Sequence, residues 1–280
     1  MAGAPDLEKL LSKMASDQAR VEVIRKMVGR AQVPERHVNF AIDFLEDAER
    51  TDDAADLAVS AGLSERAVEI YEKAGRLVSA ARLAREVSMA ARSGALYEQA
   101  VAALDEDGDA IEAAEVAEEA GMTARAVDLY SDAGRLKDAV RVALDAGWTA
   151  RAVEVYEGAG KFSRAAQLAE EHGDVRRAVA NYEKAKMFED AADVARNAGM
   201  TDVAVGILER SGKLADAARV AEENGDLELA VELYERAGMP SVAGEVARKA
   251  GMIDRAISVS SRPRLTDLAL RMSFLRLAID

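Results

Sequence analysis

The 280 residues contain no cysteine, so a disulfide framework, a thiol nucleophile and a cysteine zinc site are all excluded. Aromatic residues make up only 4% of the chain, and the apolar half is mostly alanine, valine and leucine, a helix-forming composition. No apolar run reaches the eighteen or more residues of a membrane span, so no stable membrane insertion is expected. The opening "MAGAPDLEKLLSKM" mixes acids and lysines into its apolar residues and does not resemble a signal peptide; a cytoplasmic protein is expected. Positive charge is also scarce. Fifty-one acids against 37 bases leave a formal charge of −14, which repels phosphate backbones and argues against a nucleic-acid partner.

Catalytic signatures are equally thin. The two histidines, His37 and His172, belong to no metal-ligand spacing. There is no GxxxxGK[ST] phosphate loop and no GxSxG elbow. Acid pairs such as 118–119, 170–171 and 222–223 fall on the polar faces of helical patterns, where they are solvated. Nothing sets two carboxylates in divergent environments, as acid–base catalysis needs. Neither an enzyme nor a cofactor is expected.

What the chain does contain is a repeat. Glycines stand at 108, 121, 134, 147, 160 and 173, then at 199, 212, 225, 238 and 251, at steps of 13 or, where Lys186 replaces the glycine, twice 13. The frame runs back through Gly75 and Gly62 to a glycine-free unit at 37–49. With the glycine numbered 13, alanine fills position 5 of every unit, from Ala41 to Ala256. Position 9 alternates between large and small: Tyr130, Ala143, Tyr156, Ala169, Tyr182, Ala195, Leu208, Ala221, Tyr234, Ala247. The true repeat is therefore a 26-residue pair of helices, A (large) then B (alanine).

Apolar residues at positions 2, 5, 6, 8, 9 and 12 make the stripe of an amphipathic helix. Glycine at 13 suits the left-handed residue that ends one, and a large apolar residue often follows, as at Leu63, Met122, Trp148 and Met200. Thr123, Thr149 and Thr201 are placed to cap the next helix. Helices of about ten residues are too short to persist alone, so neighbours must stabilise them, as in a solenoid. The expected fold is all-α: an α-solenoid of about eight 26-residue hairpins over 37–264. An N-terminal capping helix is expected within 1–36 and a C-terminal capping or association helix at 265–280.

The stretch "AVELYERAG" at 230–238, followed by a second helix of small residues, resembles the tetratricopeptide-like α-solenoids. The short-helix variants of vesicle-coat, intraflagellar-transport and NSF-attachment-type proteins are the most similar. The repeat is shorter than the roughly 34 residues of the standard motif and lacks its closing proline. The resemblance implies a non-catalytic scaffold or adaptor that binds a protein or peptide.

Departures from the frame mark candidate sites. Seven residues, 89–95, are inserted after the unit at 76–88; they are expected to lengthen the B helix to residue 93, with Gly94 as its stop, or to form a protrusion for a partner. At positions 4 and 7 of the A helices, Arg66/Glu69, Arg125/Asp128 and Arg151/Glu154 are spaced for ion pairs within one helix. That ladder breaks in 174–210, where Ala180 and Gly206 replace the acids, Val203 replaces the arginine, and Arg176 and Arg177 stand beside them. These five residues are the candidate docking patch for a partner helix or peptide; drift on a solvated face is the alternative. Trp148, the only tryptophan, sits in the slot after the glycine and is expected to pack there. In the C-terminal segment Leu265, Leu268, Met272, Leu275 and Ile279 form one apolar stripe, while Leu270, Phe274 and Leu277 lie off it. The second set is the candidate self-association surface, which keeps a homo-oligomer, and with it a coat-, ring- or filament-like assembly subunit, as the alternative function.

Overall fold

A computed structural model of the chain describes residues 35–260, together with 19, 20, 22, 23 and 26. Among the described residues 35–260 there are seventeen α-helices and no strand. The first eight are α1 (Glu35–Asp47), α2 (Thr51–Ser60), α3 (Ser64–Lys73), α4 (Leu77–Glu86), α5 (Ala90–Glu106), α6 (Ala110–Glu119), α7 (Thr123–Asp132) and α8 (Leu136–Asp145). Next come α9 (Thr149–Gly158), α10 (Phe162–Glu171), α11 (Val175–Lys184), α12 (Phe188–Asn197) and α13 (Thr201–Arg210). The last are α14 (Leu214–Glu223), α15 (Leu227–Arg236), α16 (Pro240–Lys249) and α17 (Ile253–Ser260). Odd-numbered helices are the A helices and even-numbered ones the B helices.

The chain divides into two compact units, Met1–Ala146 and Gly147–Asp280. Within each, every described helix packs on the next in sequence, which is the nearest-neighbour order of an α-solenoid. The core follows the 13-residue frame. Position-5 alanines such as Ala67, Ala126, Ala178 and Ala230 are completely buried, so paired helices approach closely there. Position-6 valines Val68, Val127, Val153, Val205 and Val231 are buried beside them. Among the A tyrosines, Tyr130, Tyr182 and Tyr234 are buried too.

Within each unit the helix stops share one construction. At the end of α7 the Arg135 amide donates to the Tyr130 carbonyl (2.8 Å) and the Gly134 amide to the Ser131 carbonyl (3.0 Å), with Gly134 at φ 72°. This is a Schellman turn, and it requires the left-handed conformation that glycine adopts without strain. The same turn forms at Lys186, φ 60°, despite its side chain: the Lys186 amide donates to the Glu183 carbonyl and the Met187 amide to the Tyr182 carbonyl. Lys186→Gly is therefore expected to stabilise the fold by about 1 kcal/mol, seen as a higher urea midpoint at unchanged slope.

Helix starts differ from expectation. Thr123, Thr149 and Thr201 are the first helical residues, and Met122, Trp148 and Met200 before them are the caps, without a side-chain hydrogen bond. Side-chain caps occur at two aspartates instead: Asp174 accepts from the Arg177 amide and Asp226 from the Leu229 amide, both at 3.2 Å. Trp148 remains 43% exposed, while Met122 and Met200 in the same slot are half-buried. One helical turn does not cover an indole.

The insertion also goes the other way. Ser88 takes the left-handed stop at φ 65°, so α4 ends on schedule, and the seven residues lengthen the following A helix, α5, to 17 residues. Gly94 lies inside that helix. Buried Ser93 donates to the Ala81 carbonyl at 2.9 Å and ties the added turns to α4. The stop residue decides the direction: once position 13 is left-handed, the chain has already turned before residue 89.

Candidate partner-binding face

Position 4 is arginine in α3, α7, α9, α11 and α17, and an acid stands at position 7 or 10 of every A helix from α1 to α15. The arginines chiefly reach across to the preceding A helix. In the first unit Arg66 donates to Asp43 (2.5 Å) and Glu46 (2.9 Å), and Arg125 to Asp105 (2.5 Å). In the second unit Arg177 grips Glu157 through both oxygens (3.0 and 2.7 Å), and Arg255 meets Glu235 at 3.2 Å. Arg151 with Glu154, at 3.2 Å, is a pair of the expected intrahelical kind. The cross-helix reach follows from repeat stacking, which brings position 10 of one A helix beside position 4 of the next.

The B helices hold the other side of the tyrosines. Tyr130, Tyr182 and Tyr234 each donate to the position-10 glutamate of the preceding B helix: Glu118 (3.2 Å), Glu170 (2.9 Å) and Glu222 (3.3 Å). Burial first, and the acceptor carboxylate second, push the Tyr130 and Tyr182 hydroxyls up to about 12.

In 174–210 the five candidate residues separate into two kinds. Arg176 is exposed and makes no ion pair among the described residues; Ala180 is exposed and Val203 is 39% exposed. Arg177 and Gly206 do other work. The Arg177 guanidinium is committed to Glu157, whose carboxyl it holds at about 2 against the opposing effect of burial. Gly206 is a seat. A Cβ there would stand 3.3 Å from Nη1 of Arg210, the arginine that crosses to Glu183 at 2.7 Å. The ladder is thus not lost where Val203 replaces the arginine; it moves from position 4 to position 11. It continues there in Arg236, which meets Glu209 at 2.6 Å.

Because Arg210 is a flexible, largely exposed side chain, it can yield the few tenths of an ångström that a methyl needs. Gly206→Ala is expected to raise stability by about 0.5 kcal/mol, the helix-propensity gain less a small loss at the pair, measured by chemical unfolding.

One residue escaped the sequence reading. Asn181 is completely buried at position 8, where other A helices carry Ile70, Leu129, Val155, Ile207 and Leu233. Its Nδ2 donates to Glu157 (2.6 Å) and to the Arg177 carbonyl (3.0 Å), while Oδ1 has no partner. The signal was available as the one amide in an otherwise apolar column.

The first unit holds a matching feature at equivalent positions. Ala102 stands at position 7 of α5, and a cleft of about 430 Å³ opens beside it, lined by Glu98, Val101, Met122, Thr123 and Arg125. The other candidate set, Leu270, Phe274 and Leu277, lies outside the described residues. Near that end of the described chain, Ile253 and Ile257 of α17 are 55% and 65% exposed.

Comparison with known proteins places this helical-repeat geometry. The model of the soluble NSF attachment protein family, SNAP, matches residues 104–250, more than half of the chain. The chain belongs to the SNAP family. The match runs from the end of α5 through α16 and so includes the 174–210 segment of this SNAP-family chain. No curated protein matches it in sequence. Among solved structures, BtubC (BKLC) from P. vanneervenii is similar at 17% identity, over 92% of both chains, with a TM-score of 0.25. A circular tandem repeat protein with a novel repeat topology is 22% identical over 86% of this chain and 67% of its own, with a TM-score of 0.13. The DHF119 filament is 21% identical over 91% and 97%, with a TM-score of 0.12. No function follows from likeness at this level.

Among the described residues of the SNAP-family chain, no helix is long and apolar enough to cross a membrane. No group of three or more His, Cys, Asp or Glu among them is placed to hold a metal ion.

Proposed function

We propose that this SNAP-family chain is a non-catalytic interaction scaffold in the cytoplasm that presents its A-helix face to a protein or peptide partner. The observation that carries the reading is the split of the 174–210 face. Arg177 and Arg210 are occupied in holding helices together, with Gly206 beneath the Arg210 side chain, while Arg176, Ala180 and Val203 are left exposed and uncommitted. The family's name, attachment to NSF, points in the same direction. The most strongly shifted carboxyls, Glu119 and Glu157, are likewise engaged in structural ion pairs.

A second reading has its own observation. In α17 the position-6 residue, Ile257, is largely exposed, whereas the corresponding valines of the preceding A helices are buried. Exposed isoleucines on α17 favour a self-assembling subunit.

Light scattering on the full chain across a concentration series separates the two. The scaffold reading predicts a monomer mass throughout. A discrete oligomer that Ile257→Glu dissolves, with helicity intact, would overturn it in favour of self-assembly.

A further inference from the structure

The α5/α7 cleft opens beside the Arg125–Asp105 pair and lies outside the 174–210 patch. Its origin is a single small residue. In α1 and α9, position 7 carries Asp43 and Glu154, and each lies with the position-10 acid against the arginine of the next A helix. In α5 that position is Ala102. Arg125 is drawn to Asp105 alone, and the space where a longer side chain would lie stays open. Buried Val101 and half-buried Met122 give the opening an apolar floor.

The rim is unequal in charge. Arg125 is neutralised by Asp105, while Glu98, exposed at the edge, makes no ion pair among the described residues. An uncompensated carboxylate beside an apolar floor, on a chain of net charge −14, favours a cation and repels an acid. The face continues along α5. Ala91, Gly94 and Ala95, exposed on the turns contributed by the insertion, share the Glu98 side of the helix. From residue 91 to 102 the strip is roughly 16 Å long, enough for three turns of a helix laid against small residues. A peptide fits this shape better than a compact ligand, which needs polar groups converging within the pocket.

We propose that the cleft docks a basic amphipathic helical segment of a partner protein, one large apolar side chain seated over Ala102 and a lysine or arginine meeting Glu98. This rests on the scaffold reading and names the chemistry of one of its partners.

The test uses the full chain and three fluorescein-labelled synthetic helices, read by fluorescence anisotropy. The first carries leucines at i, i+3 and i+4 flanked by lysines, the second has glutamates for the lysines, and the third has alanines for the leucines. Two variants accompany the wild type. Ala102→Gln places in the cleft a side chain the size of the one α9 already carries at position 7, so the fold is retained; Glu98→Lys changes an exposed rim residue. Unfolding midpoints confirm both. The expected result is binding of the lysine–leucine peptide, weakened about tenfold or more by Ala102→Gln, with Glu98→Lys shifting preference to the glutamate peptide. Equal binding of the alanine peptide, or lysine–leucine binding that Ala102→Gln leaves unchanged, reduces the effect to general attraction by an acidic chain and overturns the proposal. Absence of binding overturns it as well. Partner contacts surviving at residue 176 in that event leave the scaffold reading standing; a chain that only self-associates defeats both.

Discussion

Ala178→Leu is expected to destabilise the chain by about 3 kcal/mol, while Ala180→Leu, two residues further along α11, changes stability by no more than about 0.5 kcal/mol. Both alanines lie on one ten-residue helix. Ala178 is at position 5, completely buried, where the contact with neighbouring helices is set by a methyl group. An isobutyl group there has to drive the helices apart, and the shift is felt at Val179 and Tyr182, both buried on the same helix. In a repeat stack each hairpin is stabilised mainly by its neighbours, so the strain cannot be spread through a large common core. Ala180, at position 7, faces solvent. Urea unfolding of the two variants checks the contrast. Equal effects at the two positions would mean that the small residue at position 5 does not set helix spacing.

Removing the Glu119 carboxylate is expected to cost about 2–3 kcal/mol, because four hydrogen-bonding groups from two other helices converge on this residue. Arg82 of α4 donates through Nε and Nη2 (2.9 and 2.6 Å), Arg85 through Nη2 (2.8 Å), and the Tyr97 hydroxyl of α5 at 2.7 Å. Both arginines are about half exposed, which keeps the loss below that of a fully buried pair. Tyr97 is buried, and Glu119→Ala removes the carboxylate to which its hydroxyl donates.

The carboxyl also reports through acid. The Arg82 hydrogen bonds are the largest cause of its fall from 4.5 to about 2, with Tyr97 and Arg85 adding to them and burial opposing. A depressed folded value means that the contribution is present above pH 4.5 and is lost as pH falls from there towards 2. Stability against urea should therefore drop through that window. In Glu119→Gln the drop should be shallower, since the amide does not titrate. Wild-type and Gln variants losing stability in parallel would show that Glu119 contributes little to the acid response.

The architecture was readable because position 5 is a buried alanine in every described unit and position 13 takes a left-handed residue, two constraints that recur every 13 residues whatever the surface does. The surface obeyed no such rule. Spacing alone put Arg66 and Arg125 with acids on their own helices, since it cannot register the neighbouring A helix that stacking brings alongside. The same blindness made Arg177 look like a free basic edge and Gly206 like an empty spot on a face. Asn181 was detectable, but only by comparing position 8 down the column of A helices rather than along the chain. The insertion lengthens α5 rather than α4 because its direction depends on the backbone of Ser88, a left-handed serine that composition does not announce.

The most direct test of the interaction-scaffold account is site-specific photo-crosslinking on the full chain in a cell extract. The crosslinking residue replaces Arg176, exposed on the A face, or Gln167, exposed at position 7 of a B helix. The account predicts discrete crosslinked protein species from residue 176 and few from 167. Equal labelling from both positions, or crosslinks from 176 only to other copies of the chain, would contradict it.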